Sequence, residues 1–308
     1  MTKTILVTGS RGLVGRQLCA TLRATGFAVR EMDLLGEGAD YGDITRTADI
    51  CSAISGCIGV VHLAAVSRVV WGQRDPELCW RTNVTGVQNL IQVASSQHAK
   101  PWVLIASSRE VYGQAQMLPV NEDSPLSPLN VYARSKAAGE KISLAARQQG
   151  LQTAVVRLSN VYGSTHDHAD RVIPAFAKSS IEGKPLHVEG SQHTFDFTHV
   201  DDVVRGIDAL IASLCAGNRF LPPVHLVSGS PTSLGELAAL CKELAGSESN
   251  VSDAAPRSYD VAQFYGDPTR ALELLGWKAE IPLAKGLKRL IDAFRHELHM
   301  RSVKKVAA

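Results

Sequence analysis

Apolar positions in the first half of the chain follow two alternating rhythms. Short runs at Thr4–Thr8, Phe27–Met32, Val60–Leu63, Trp102–Ala106 and Thr153–Leu158 have the length and apolarity of strands buried on both faces. Between them lie longer amphipathic stretches, Leu13–Leu22, Thr45–Ile54, Pro76–Ser96 and Tyr132–Gln148, which predict helices. Within the first of these, Leu13, Gln17 and Thr21 share one side, and Val14, Leu18 and Leu22 another. The alternation predicts an α/β fold, a doubly wound parallel sheet with helices on both faces. After residue 160 the rhythm loosens and prolines become frequent. Shorter helices are predicted over Val172–Ser180, Asp201–Leu214, Leu234–Leu244 and Leu283–His296.

Composition narrows the class. The 308 residues are 45% hydrophobic and 20% charged, the mix of a soluble globular protein. A net charge of +2 provides no global field for nucleic acid or membrane. The basic residues near the end, Arg301, Lys304 and Lys305, read as a solvated tail. None of the six cysteines forms a CxxC pair, and their spacing fits neither a zinc site nor a compact disulfide framework. Buried free thiols in a reducing compartment and no metal are expected. Neither a signal-peptide core nor a membrane-spanning apolar run is visible, so a cytoplasmic location is expected.

Gly9-Ser10-Arg11-Gly12-Leu13-Val14-Gly15 follows the first strand and opens the first helix. Glycines there permit a tight turn and close backbone approach, and the helix N-terminus can hold a pyrophosphate. Three glycines alone are a weak signal, but strand, turn and helix occur in the required order. Asp33 ends the second strand 18 residues beyond Gly15, where an acid takes ribose hydroxyls and repels a 2′-phosphate. Arg11 pulls the other way, since a basic residue in this loop can meet a 2′-phosphate. NAD is the expected cofactor, with NADP kept open by Arg11. The expected organisation is a Rossmann-type NAD(P)-binding domain over 1–160, with returns near 194–230. Residues 161–308 are expected to form mainly a smaller, interleaved C-terminal lobe that binds substrate.

Tyr132 and Lys136 stand at i and i+4 of one predicted helix and so share a face. An ordinary tyrosine titrates near 10, too high for a base at neutral pH. A nearby ammonium and a positive nicotinamide ring are expected to lower that value. Such a pair is common by chance, but Ser108 stands 24 residues upstream at a strand's C-terminal end. Its hydroxyl there can bond the same substrate oxygen.

These motifs together resemble the extended short-chain dehydrogenase/reductase family, the NAD-dependent epimerases and dehydratases of nucleotide sugars, over nearly the whole chain. The resemblance implies Ser108, Tyr132 and Lys136 as the catalytic trio. It implies cofactor contacts from Gly9, Arg11, Gly12, Leu13, Val14, Gly15, Asp33, the Asp43-Ile44 pair, and Leu63, Ala64 and Ala65 beside His62. Asn83, in Asn83-Val84-Thr85-Gly86, resembles the asparagine that braces the central helix and sheet, and it is counted with the cofactor residues. Substrate contacts are expected from Ser108, Arg109, Glu110, Asn160, Arg171, Phe195 and Arg257. Asp196 to Asp202 matches a landmark of the second half. Family members commonly form homodimers through a four-helix bundle, here Pro76–Ser96 and Tyr132–Gln148, although Val87, Leu90, Ile91, Ile142 and Leu144 serve equally as internal core.

Two departures bear on the reaction. Dehydratases of the family carry Thr-Asp-Glu where this chain has Ser108-Arg109-Glu110. Arginine holds its proton too tightly to act as an acid, which disfavours dehydration. Glu110 stays at a position where dehydratases and decarboxylases keep a base, so a part in C5 chemistry is open. Phe195 stands where epimerases place an arginine that holds the nucleotide diphosphate, and a phenyl ring cannot bond phosphate. Arg257, Arg171 and His193 are candidates to compensate, while Phe195 stacks on a base or packs in the core. The expected function is an epimerase that acts through transient C4 oxidation of a nucleotide sugar. The alternative is a sugar dehydrogenase or ketoreductase, and a dehydratase or decarboxylase is less favoured.

Overall fold

The computed structural model describes residues 3–257 and 259–306. The first part of the chain runs through β1 (Thr4–Thr8), α1 (Leu13–Ala24), β2 (Ala28–Met32), α2 (Thr47–Ile54), β3 (Gly59–His62), α3 (Val69–Arg74), α4 (Pro76–Trp80), α5 (Gly86–Ser96) and β4 (Trp102–Ser108). Next come α6 (Val131–Ala145), β5 (Thr153–Leu158), β6 (Asn160–Tyr162), α7 (Val172–Glu182), β7 (Leu186–Glu189), β8 (Thr194–His199) and α8 (Val200–Cys215). The remainder is β9 (Val224–Leu226), β10 (Pro231–Ser233), α9 (Leu234–Ala245), β11 (Val251–Ala254), β12 (Gln263–Phe264), α10 (Thr269–Leu275) and α11 (Leu283–Val306). The basic residues Arg301, Lys304 and Lys305 fall outside the described side chains.

The main sheet has the order β2-β1-β3-β4-β5-β9, parallel throughout. Its two faces are sorted residue by residue along β1. Ile5 and Val7 pack with Leu18 and Leu22 of α1 and Ile207 of α8. Leu6, between them, packs on the other face with Ile50 of α2 and Leu90 of α5. The strand order reverses between β1 and β3, which opens a crevice beyond their C-terminal ends where ligands bind in such sheets. A smaller sheet is centred on β8, paired antiparallel with β10 and parallel with β6 and β12. Its core joins Phe195 and Phe197 to α7, α9 and α11.

The helix expected over Pro76–Ser96 is interrupted. Arg81–Thr85 winds as a π segment between α4 and α5. The segment carries Asn83, whose buried amide bonds the backbone of Val66 and the Ser135 hydroxyl. Val87, Leu90 and Ile91 are buried within the single chain, so any bundle between copies must use other side chains. All six cysteines are free, but Cys51 and Cys215 are exposed, contrary to the expectation of burial. No described helix is long and apolar enough to cross a membrane.

Candidate active site

A cleft of about 1370 Å³ runs along the C-terminal edge of the main sheet and under the smaller one. Its cofactor end is shaped by what two glycines leave out. Gly9 has φ +71°, and a Cβ there would lie 2.6 Å from the Ala64 nitrogen. A Cβ on Gly15 would lie 2.2 Å from the Gly9 carbonyl oxygen. The loop therefore presses against Ala64, and α1 is preceded by Gly12 as its cap, with no side chain bonding its first amides. That leaves N–H groups for an anion, so the cradle fits a dinucleotide pyrophosphate. Leu13, Val14, Asp43, Ile44, Leu63 and Ala65 line the same cleft.

Acids dominate the ribose end. Asp33 accepts the Arg11 and Leu35 amides, each at 2.9 Å. The Arg11 guanidinium is already engaged by Asp40 at 3.3 Å and Glu31 at 3.9 Å. A 2′-phosphate would meet three carboxylates and an occupied arginine, so this end suits NAD and not NADP. Asn83 is not among the residues that line the cleft, and its amide braces α6 against the loop at Val66. His62 is also buried behind the surface, with Nδ1 2.7 Å from Thr8 Oγ1. Burial pushes its pKa down to about 3, so it is neutral.

The structure brings Ser108, Tyr132 and Lys136 together at the middle of the cleft. Ser108 ends β4, on the same cleft as Tyr132, and its hydroxyl favours the Tyr132 phenolate. Lys136 Nζ donates to the Ala106 carbonyl at 2.9 Å and lies 5.9 Å from the centre of the Tyr132 ring. The proton affinities differ from expectation. Burial pushes Tyr132 up to about 12, against the opposing pull of the Ser108 hydrogen bond. Burial pushes Lys136 down to about 8. As pH rises Lys136 loses its proton first, so the ammonium alone cannot make Tyr132 a phenolate.

The two departures noted in the sequence are in contact. The Arg109 guanidinium stacks 4.5 Å from the Phe195 ring centre and 5.7 Å from that of Phe264. Phe195 itself packs edge-on against Phe197 and His193 in the smaller sheet's core. Glu110 is buried beside them, one oxygen on Arg109 Nη2 at 2.9 Å and the other accepting from Asn130 at 3.2 Å. Asn160, Arg171, His193 and Arg257 line the same cleft. Arg171 pairs with Asp167 at 3.5 Å, and its charge acts on the Tyr132 phenol. Arg257 binds Asp260 at 2.8 Å and Glu189 at 3.4 Å through Nε.

Sequence reasoning missed the rim. Arg68 pairs with Asp170 across the cleft and rests on Trp71, which in turn meets His168 edge-on. No local pattern marks partners so far apart in the chain. Asn130 was also missed, although a cap residue directly before a predicted helix is a readable signal.

Residues 5–220 match the model of a family described as "NAD dependent epimerase/dehydratase family". A putative UDP-glucose 4-epimerase of Methanocaldococcus jannaschii is 31% identical over 94% of this chain and 97% of its own length. A dTDP-glucose 4,6-dehydratase of Streptomyces griseus is 32% identical over 93% of this chain and 92% of its own. Among solved structures, MoeE5 in complex with UDP-glucuronic acid and NAD superposes with a TM-score of 0.86 at 28% identity. That match covers 96% of this chain and 99% of MoeE5.

Proposed function

The chain belongs to the NAD-dependent epimerase/dehydratase family, and from that premise we propose that it is a nucleotide-sugar epimerase working at C4. The relatives' names cover epimerases, dehydratases and decarboxylases, so this choice rests on the chain's own residues. The observation that carries it is the state of residues 109 and 110. An elimination needs an acid for the leaving hydroxyl and a base for the C5 proton. Here the first position is an arginine, and both oxygens of Glu110 are engaged. Ser108, Tyr132 and Lys136, which line one cleft, would supply the groups for exchanging a proton and a hydride at C4 without them.

Bound NAD supplies a hydride acceptor that later gives the hydride back. Tyr132 takes the C4 hydroxyl proton while Ser108 holds the same oxygen. Lys136 would orient the cofactor ribose, and its ammonium together with the positive nicotinamide ring would favour the phenolate that Tyr132 needs to take the proton. Arg257 and Arg171 hold the nucleotide diphosphate in place of the cation missing at residue 195. Once the C4 ketone has turned its other face, Tyr132 would return the proton to its oxygen as that carbon is reduced. We further infer that the enzyme is a cytoplasmic homodimer, on the strength of the family resemblance; size-exclusion chromatography with light scattering checks the assembly.

Purified protein incubated with a panel of UDP- and dTDP-sugars provides the test. An epimerase interconverts a C4 pair without net absorbance change at 340 nm and without loss of water or carbon dioxide by mass. Tyr132→Phe is expected to abolish turnover and to leave NAD binding intact. Stoichiometric NADH release, or a dehydrated or decarboxylated product, rejects the reading.

A further inference from the structure

Asn130 sits where three parts of the site meet and is only 1% exposed. As the cap of α6, its Oδ1 accepts the Ala133 amide at 2.8 Å, which fixes the turn that carries Tyr132. Its Nδ2 donates to Glu110 Oε2 at 3.2 Å and to the Tyr259 carbonyl at 3.4 Å. Glu110 in turn donates its backbone N–H to Ser108 Oγ at 3.2 Å. Its other carboxylate oxygen is held by Arg109, which is wedged between Phe195 and Phe264 of the smaller sheet.

Capping uses only the side-chain oxygen, and serine or aspartate would cap as well. The amide donor is surplus to that task and reaches Glu110. One side of the resulting link is the turn bearing Ser108, and the other is the helix bearing Tyr132. We propose that Asn130 and Glu110 form a strut that sets the Ser108 hydroxyl against the Tyr132 phenol. In this arrangement Glu110 is a positioning residue and not a base for a substrate carbon. The proposal rests on the functional reading above, in which those two hydroxyls share one substrate oxygen. An ion pair to one oxygen and a hydrogen bond to the other hold the Glu110 carboxylate in place, which disposes it to transmit position. An error of about 1 Å between the two hydroxyls is worth roughly a hundredfold in rate.

The test uses the full chain and whichever nucleotide sugar the wild type turns over, measuring kcat, KM, NAD affinity and the thermal midpoint. Asn130→Ser keeps the cap and removes the amide. Asn130→Asp keeps the cap and sets two carboxylates face to face. The double variant Glu110→Gln/Asn130→Asp exchanges donor and acceptor with no change in net charge. The single variants, Glu110→Gln included, are expected to lose about tenfold or more in kcat, with KM and NAD affinity within about twofold. The double variant is expected to regain activity to within about threefold of the wild type, and its thermal midpoint should exceed the sum of the single effects. A double variant as inactive as Glu110→Gln, with NAD still bound, overturns the strut, since the carboxylate itself is then doing chemistry. Wild-type kcat in both Asn130 variants overturns it as well. If the wild type turns over no sugar, the functional reading falls. The strut is then judged on the midpoints, and additive effects reject it.

Discussion

Replacing Lys136 with methionine should stabilise the free protein at neutral pH while destroying its activity. The folded structure holds the ammonium where burial lowers its pKa from 10.5 to about 8. Between those values the unfolded chain binds the proton that the folded chain gives up, so wild-type stability rises with pH across that window. Below about pH 8 the full penalty applies, about 3 kcal/mol at 1.36 kcal/mol per pH unit. Methionine keeps the stem and removes the charge, but it also loses the bond to the Ala106 carbonyl, worth about 1 kcal/mol. The lysine is partly reachable from the cleft, so solvent recovers some of the penalty. A net gain of about 1–2 kcal/mol is expected at pH 7. The gain should vanish, or reverse slightly, near pH 10.5. Urea denaturation of both proteins at the two pH values measures the difference directly. A gap between them that does not change with pH, or a variant less stable at pH 7, would refute the claim that burial governs this lysine.

The cofactor end and the core offer three further predictions. Gly15→Ala should abolish dinucleotide binding in a fluorescence titration, because its Cβ would fall 2.2 Å from the Gly9 carbonyl oxygen. Asp33→Asn should weaken NAD about tenfold by calorimetry, as a charged acceptor becomes a neutral one. NADP should gain little, because Glu31 and Asp40 remain around Arg11. Glu140→Ala should destabilise the fold by about 3–5 kcal/mol in denaturant, because it leaves Arg157 buried without the carboxylate it binds at 2.9 and 2.7 Å.

Strands β1 and β5 could be placed from sequence alone because each carries a short apolar run, Ile5–Val7 and Ala154–Val156, buried on both faces. The C-terminal half was less legible. β7 alternates buried and exposed residues over only four positions, and β10 and β12 are shorter still. Such segments become strands only through the partner that pairs with them, which propensity does not encode. The π turn at Arg81–Thr85 was hidden for a similar reason, since its apolar spacing resembles that of a plain helix. Within the site, Ser108, Tyr132 and Lys136 could be located by spacing and element order. The order in which their protons leave could not, because desolvation depends on walls contributed by distant segments. Likewise the stacking of Arg109 on Phe195 joins residues that sequence reading treated as separate departures.

The Arg68–Asp170 pair across the cleft also bears on traffic. The aspartate is 67% exposed while Arg68 is only 12% exposed, and a pair with one partner in solvent contributes about 1 kcal/mol. A contact of that strength favours the paired state by roughly fivefold, so an entering polar group can displace it. A catalyst that returns every electron it borrows has no need to renew its carrier between cycles. If this chain is the epimerase proposed, a weakly paired rim suffices for sugars to enter and leave while the carrier stays bound.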